Sequence, residues 1–227
     1  MFIFRTNCWL CQLPVVAQGR GICSFCLRQL PSMGSLCSRC GLPAAPKTRE
    51  CGRCVQKPPP WQTLICANGY QPPLSRLLHQ FKFSGNTALA VMLAKLILLS
   101  WLQQRRIYGL PRPDLILSSP LHPQRLWSRG YNQSELLAKP LSHWLSCHYA
   151  PDALLRVRKT AVQHRLNHRQ RQRNLHQAFR VTQDLSGLKV VLIDDVVTSG
   201  STAAEITRRL QQAGAAMIQV WCLCRTL

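Results

Sequence analysis

Acidic side chains are scarce in this chain: 8 Asp and Glu stand against 29 Lys and Arg, leaving a formal charge of +21 over 227 residues. An imbalance of that size argues against cationic partners and for a polyanion, most simply nucleic acid, with a membrane surface the weaker alternative. Long apolar runs are lacking too. The longest stretch, Ala88 to Leu102, contains Lys95 and is short for a bilayer, so it reads as a core helix and no membrane insertion is expected. Met1 to Ala17 has neither the basic start nor the unbroken apolar core of a signal peptide, because Arg5, Asn7 and Gln12 interrupt it. The expected location is cytoplasmic. A chain of this length has room for one α/β domain and one small module.

Cysteine is plentiful by contrast. Eight of the 12 fall into four Cys-x-x-Cys pairs, Cys8/Cys11, Cys23/Cys26, Cys37/Cys40 and Cys51/Cys54, separated by 11, 10 and 10 residues. Such a pair sets two thiolates on one side of a tight turn, and two pairs complete a tetrahedral zinc site. Two structural zincs follow. Sequential sharing gives one metal to Cys8, Cys11, Cys23 and Cys26 and the other to Cys37, Cys40, Cys51 and Cys54. Cross-braced sharing joins pairs one and three, and two and four, and spacing leaves both arrangements open. A disulfide framework does not suit a chain without a secretory signal. Leu27 to Leu30 is expected to begin a short helix, while Cys66, Cys147, Cys222 and Cys224 lack the pattern and read as packing residues.

A module of some 55 residues with no long apolar run cannot fold on its own core, so metal must supply most of its stability, on the order of 10 to 16 kcal/mol per structural zinc in small fingers. The expected organisation is a double zinc ribbon at 1–57, a Pro-rich linker at 58–63 around Lys57-Pro58-Pro59-Pro60, and an α/β domain at 64–227.

The densest chemical signal is Val190-Val191-Leu192-Ile193-Asp194-Asp195-Val196-Val197-Thr198-Ser199-Gly200-Ser201-Thr202. Lys189 to Ile193 is apolar enough for a doubly buried strand. Ala203, Ile206, Leu210 and Ala213 recur at helical spacing before Gly214, and Met217 to Leu223 is the next strand. A βαβ unit of this kind puts the turn at the carboxyl edge of a parallel sheet and aims the amides of 198–202 at an anion. Two carboxylates beside a phosphate cradle repel the phosphate unless they face something neutral or positive. Ribose hydroxyls or a magnesium-bound diphosphate meet that requirement, so the residue types point to a ribose 5-phosphate.

Elsewhere, Ile65 to Tyr70 reads as a strand, Leu74 to Phe83 as an amphipathic helix carrying Arg76, His79 and Lys82, and Asp114 to Ser119 as another strand. After Pro120-Leu121-His122 comes a basic, amide-rich loop with Arg125, Arg129, Gly130, Tyr131, Asn132 and Gln133, suited to diphosphate. A helix over Ser134 to Trp144 follows, with Pro140 expected to kink or split it. From Arg156 to Arg180 there are eight Lys or Arg and no acid, and Arg165, Arg169, Arg171 and Arg173 are the candidate nucleic-acid contacts.

The acid pair and the turn after it resemble the signature of type I phosphoribosyltransferases, which bind 5-phosphoribosyl 1-diphosphate (PRPP). The resemblance implies a parallel α/β sheet, ribose contacts by Asp194 and Asp195, a 5-phosphate wrapped by Thr198, Ser199, Gly200, Ser201 and Thr202, and magnesium bound with PRPP. Together with the cysteine knuckles, Phe81-Lys82-Phe83, Pro120-Leu121-His122, Arg129 to Gln133, Gln163, Arg173-Asn174 and Phe179, it is similar to the ComF family, and the ending Val220 to Leu227 resembles its GntX branch. That family implies a cytoplasmic factor that handles single-stranded DNA in competence or in the use of external DNA, with a DNA-uptake or helicase-type protein partner. The alternative is an active phosphoribosyltransferase whose acceptor is an amine or nucleobase.

Overall fold

The computed structural model of the protein describes residues 6–15, 21–158 and 175–226. Arg165, Arg169, Arg171 and Arg173 lie outside the described residues.

Cysteine positions dictate the first elements. β1 (Thr6–Asn7) and β2 (Pro14–Val15) pair antiparallel across the first knuckle. Helices α1 (Ser24–Arg28) and α2 (Gly52–Gln56) grow out of the second and fourth knuckles. The short helix expected over Leu27 to Leu30 therefore starts earlier, because Cys23 is itself the N-cap: its Sγ accepts the Cys26 amide at 3.4 Å. Cys8, Cys11, Cys23 and Cys26 bring their Sγ atoms within 4.8 Å of one another, and so do Cys37, Cys40, Cys51 and Cys54. Sharing is sequential, and the cross-braced arrangement is excluded. Sγ separations of 3.8 Å for Cys11–Cys23 and 3.7 Å for Cys40–Cys51 fit the edge of a zinc tetrahedron, about 3.8 Å for Zn–S bonds of about 2.3 Å. The two sites repeat each other. In each, the third cysteine's amide donates to the first cysteine's Sγ, Cys23 to Cys8 and Cys51 to Cys37, both at 3.3 Å.

The remaining elements are β3 (Thr63–Gly69), α3 (Leu74–Phe83), α4 (Ala90–Tyr108), β4 (Leu115–Ser118), α5 (Pro123–Arg129), α6 (Gln133–Leu145), β5 (His148–Tyr149), β6 (Leu154–Arg156), β7 (Phe179–Val181), β8 (Lys189–Val197), α7 (Ser201–Gln212) and β9 (Met217–Arg225). Five strands form a wholly parallel sheet in the order β3-β9-β8-β4-β5, and β6 and β7 form a separate antiparallel ribbon. Strand alternation divides the core. Ile65, Ile116, Val191, Ile193 and Trp221 pack under α3, α4 and α6, whereas Leu64, Leu117, Val190, Leu192 and Val220 pack under α7 and the β6–β7 ribbon.

α4 runs to Tyr108, past the stretch ending at Leu102 that the sequence marks out, and stops at Gly109, whose φ of 64° closes the helix in the left-handed region. Its length and composition would allow a membrane span, but Met92, Leu93, Ala94, Leu96, Ile97 and Trp101 are buried on the sheet, which makes it a core helix. Pro140 leaves α6 continuous from Gln133 to Leu145. The zinc module grips the sheet from both sides: Trp9, Leu10 and Ile22 of the first ribbon join the α4-face core, and Met33 and Leu36 of the second join the α7-face core. Between them, the Leu64 amide donates to the Ser38 carbonyl at 2.9 Å, which covers the edge strand β3.

Eight thiolates in two closed tetrahedra set the expected metal content. Protein purified without chelator should carry two zincs per chain by elemental analysis, and Cys26→Ser should carry one. A parent value of one, or cysteine oxidised in freshly prepared protein, would contradict this assignment.

Candidate functional site

β8 is the strand that carries the acid pair, and its two neighbours end at different heights. β4 stops at Ser118, opposite Ile193, whereas β9 stays paired with β8 to the Val197–Arg225 position. Asp194 and Asp195 thus sit just beyond the end of β4, on an overhang open to α3 and α6. Asp195 lies on the α3 side, where its Oδ2 meets Lys82 Nζ at 2.9 Å. Asp194 Oδ1 accepts from the Ser134 hydroxyl at 3.4 Å and from the Asp195 amide at 2.9 Å. Burial raises the Asp194 carboxyl to about 7, with the charge of Asp195 adding to the rise and Lys82 opposing it.

The loop after β8 follows from its small residues. Gly200 has φ 76° and is the N-cap of α7, so the amides that begin the helix turn toward the strand end. Asp194 and residues 196–203 together line a cavity of about 60 Å³, the size of one small anionic group. Ser199 and Ser201 bond each other through their hydroxyls at 2.9 Å. All seven residues assigned to PRPP from the sequence gather at this one edge, although Asp195 lies on the α3 side of the strand.

The basic loop after β4 is different from its sequence reading. Residues 123–129 are helical, because His122 caps the Gln124 amide through Nδ1 at 3.2 Å, Pro123 takes the first helical turn and Gly130 supplies the left-handed stop. Asn132 is committed to structure: it accepts from the Ser134 amide and donates to the Ser119 carbonyl, both at 3.1 Å, and so ties α6 to the end of β4. Arg129 donates to Gln133 Oε1 at 2.8 Å and lies over the Phe83 ring. Gln133 Nε2 is buried with no partner among the described residues, a donor left free beside the site. Arg125 is exposed. Tyr131 is an anchor whose hydroxyl donates to the Phe81 carbonyl, while Trp127 is 90% exposed.

Two functional residues went unassigned in the sequence. Lys82 stands there within Phe81-Lys82-Phe83, a motif of the family resemblance with no role attached to it, and Ser134 carries no signal at all. The magnitude of the Lys82 contribution is clear from charge alone. Fully ionised, the two adjacent carboxylates carry −2; the ammonium halves that. A larger cavity of about 650 Å³ lies away from these groups, between Pro31–Ser38 of the second ribbon and the last turns of α4, and none of the predicted PRPP residues lines it.

Comparison with known proteins agrees with both parts of the chain. Residues 1–67 match the double zinc ribbon domain and residues 133–227 the phosphoribosyl transferase domain. The DNA utilization protein YhgH of Salmonella typhi is 53% identical over 220 residues, 97% of each chain, and that of Escherichia coli K12 is 52% identical over the same share. Competence protein F of Haemophilus influenzae is 34% identical over 228 residues, 99% of each chain. A parallel phosphoribosyltransferase-type sheet behind two four-cysteine sites, matched along nearly its whole length, belongs to the ComF/GntX family of competence and DNA-utilization proteins.

Proposed function

We propose that this protein is a cytoplasmic PRPP-binding member of its family that handles single-stranded DNA in competence or in the use of external DNA as a nutrient. The observation that carries the ligand is the overhang of β8. It places Asp194 on a small cavity at the N-terminus of α7, with Asp195 held by Lys82 on the α3 side of the same strand end. The carboxylates then accept the ribose hydroxyls, the 198–202 loop takes the 5-phosphate, and Arg125, Arg129 and Gln133 are the candidates for the diphosphate. Magnesium bound with PRPP would offset the negative charge of the diphosphate. The names of the relatives support the DNA role, as do the charge of +21 and the cluster of eight basic residues between Arg156 and Arg180. Both flanks of that cluster are tied together, since β6 pairs with β7 and the Val157 amide donates to the Ala178 carbonyl at 2.9 Å.

PRPP binding should follow the ionisation of Asp194. A carboxyl accepts hydroxyl bonds most strongly, and through both oxygens, as the anion, and below about pH 7 this one holds its proton. Binding therefore releases a proton: affinity rises with pH up to about 7 and levels off above it. Calorimetry with PRPP and magnesium in buffers of different ionisation heat measures that release. Asp194→Asn should remove it, separating it from protons lost by the ligand's own phosphates. Asp195→Asn should weaken binding at least about tenfold by removing a charge-assisted acceptor. Parent-like binding in both variants rejects the site.

Single-stranded DNA should bind with a strong salt dependence. If about four of Arg165, Arg169, Arg171, Arg173 and their neighbours engage phosphates, the log–log slope is roughly −3 and affinity falls about 50-fold between 50 and 200 mM salt. Replacing those four arginines with Gln should flatten the slope by about 3 while both zincs remain. A variant that keeps the parent slope moves the protein toward the alternative, a phosphoribosyltransferase acting on a small amine or nucleobase, and product analysis by mass spectrometry after incubation with PRPP then decides.

A further inference from the structure

We propose that the second four-cysteine site is the positioning device of the phosphate loop, acting through Arg225, so that phosphosugar affinity depends on metal at Cys37, Cys40, Cys51 and Cys54 and not on metal at the first site. The inference rests on the reading of residues 198–202 as a phosphate cradle.

Three consecutive residues of the third knuckle reach the base of that cradle. Arg39 and Trp61 exchange bonds, Trp61 Nε1 to the Arg39 carbonyl at 2.6 Å and the Arg39 guanidinium to the Trp61 carbonyl at 3.3 Å. The Trp61 ring in turn lies against Gly200, where an added Cβ would stand 3.1 Å from it. The Cys40 carbonyl accepts from Arg225 Nε at 2.9 Å. Gly41 is pressed so closely on Leu64, Cys66 and Arg225 that a Cβ there would meet Leu64 at 2.7 Å.

Arg225 is the central member. It ends β9 opposite Val197, is 6% exposed, and donates through the same guanidinium to the carbonyls of Val197 at 3.0 Å, Thr198, and Thr226 at 2.8 Å. Val197 and Thr198 are the two residues on which the loop is hung. No carboxylate pairs with Arg225 among the described residues. A buried cation needs compensation beyond carbonyl dipoles, and the second metal site, whose Cys40 carbonyl Arg225 holds, supplies it: four thiolates and one Zn²⁺ carry a net −2. The rigid fork of Arg suits this use: one edge holds the knuckle and the other the loop. Among the described residues the first ribbon has no such route: its Trp9, Leu10 and Ile22 pack on the opposite face of the sheet.

The test uses the full-length protein and two readouts, amide hydrogen exchange of residues 196–203 without ligand and PRPP affinity by calorimetry. Cys51→Ser, which disables the second site, should speed loop exchange and weaken PRPP at least about tenfold each, the effect of losing one or two bonds to a charged group. Cys8→Ser, which disables the first, should leave both within about twofold, within the error of such comparisons. Arg225→Lys should keep two zincs and still loosen the loop, because an ammonium cannot bridge both partners. Equal effects from Cys51→Ser and Cys8→Ser, or parent-like loop exchange in Arg225→Lys, would overturn the proposal. If Cys51→Ser does not fold, the Arg225→Lys exchange decides alone. If even the parent ignores PRPP, the phosphosugar reading fails while loop exchange still judges the strut.

Discussion

Everything at the candidate site hangs on the parallel ladder between β8 and β9. The two nine-residue strands run in register from Lys189–Met217 to Val197–Arg225, and both are largely buried on both faces. Because side chains alternate, a slip of one residue would exchange the whole apolar set and turn Asp195 away from Lys82. The register is therefore fixed by burial, and with it the height at which each strand ends. β4 ends early and leaves the acids an open flank; β9 ends late and delivers Arg225 to the base of the loop. One ladder sets both the chemistry and its support.

Charge is managed locally in a chain that is basic everywhere else. The two zinc sites together carry −4, leaving the loaded protein near +17, so counterion attraction for polyanions survives metal binding. Inside that field the acid pair is the exception. Asp195 is paired with Lys82, whereas Asp194 is left in a desolvated position beside it and titrates near neutrality. Two adjacent acids with different environments can play different parts: one is fixed by its cation, and the other is able to change charge near neutrality.

The sequence disclosed what depends on spacing and residue type. Four Cys-x-x-Cys pairs announce two metals because a tetrahedron needs four thiolates, and the run from Val190 to Thr202 announces a buried strand, an acid pair at its end and a tight turn into a helix. It did not disclose what depends on packing. Lys82 reaches Asp195 only because α3 lies over the end of β8, and Ser134 reaches Asp194 only because Asn132 ties the start of α6 to Ser119. Sequential metal sharing was one of two arrangements allowed by spacing, and the fold of each ribbon chose it. Helix α5 was mistaken for a loop for a local reason: Pro123 and Gly130 read as loop residues, yet a Pro in the first turn and a Gly just past the last residue are also how a short helix begins and ends. His122 is an uncommon cap, which hid the start.

A double zinc ribbon makes a compact wall for such a sheet. A parallel sheet exposes the edge of β3, and covering it with an apolar helix would require more chain and more core. The ribbons do it with backbone and metal: Ser38 pairs with Leu64 at the edge, and each ribbon sends a few apolar side chains to one face. Metal then supplies the stiffness that a core of this size cannot. Stiffness matters because the wall also meets the loop after β8. Arg225 is buried between the two, and breaking one side of its contacts leaves a cation with fewer partners on the other. Arg225 thereby joins the N-terminal metal module to the C-terminal loop through one guanidinium.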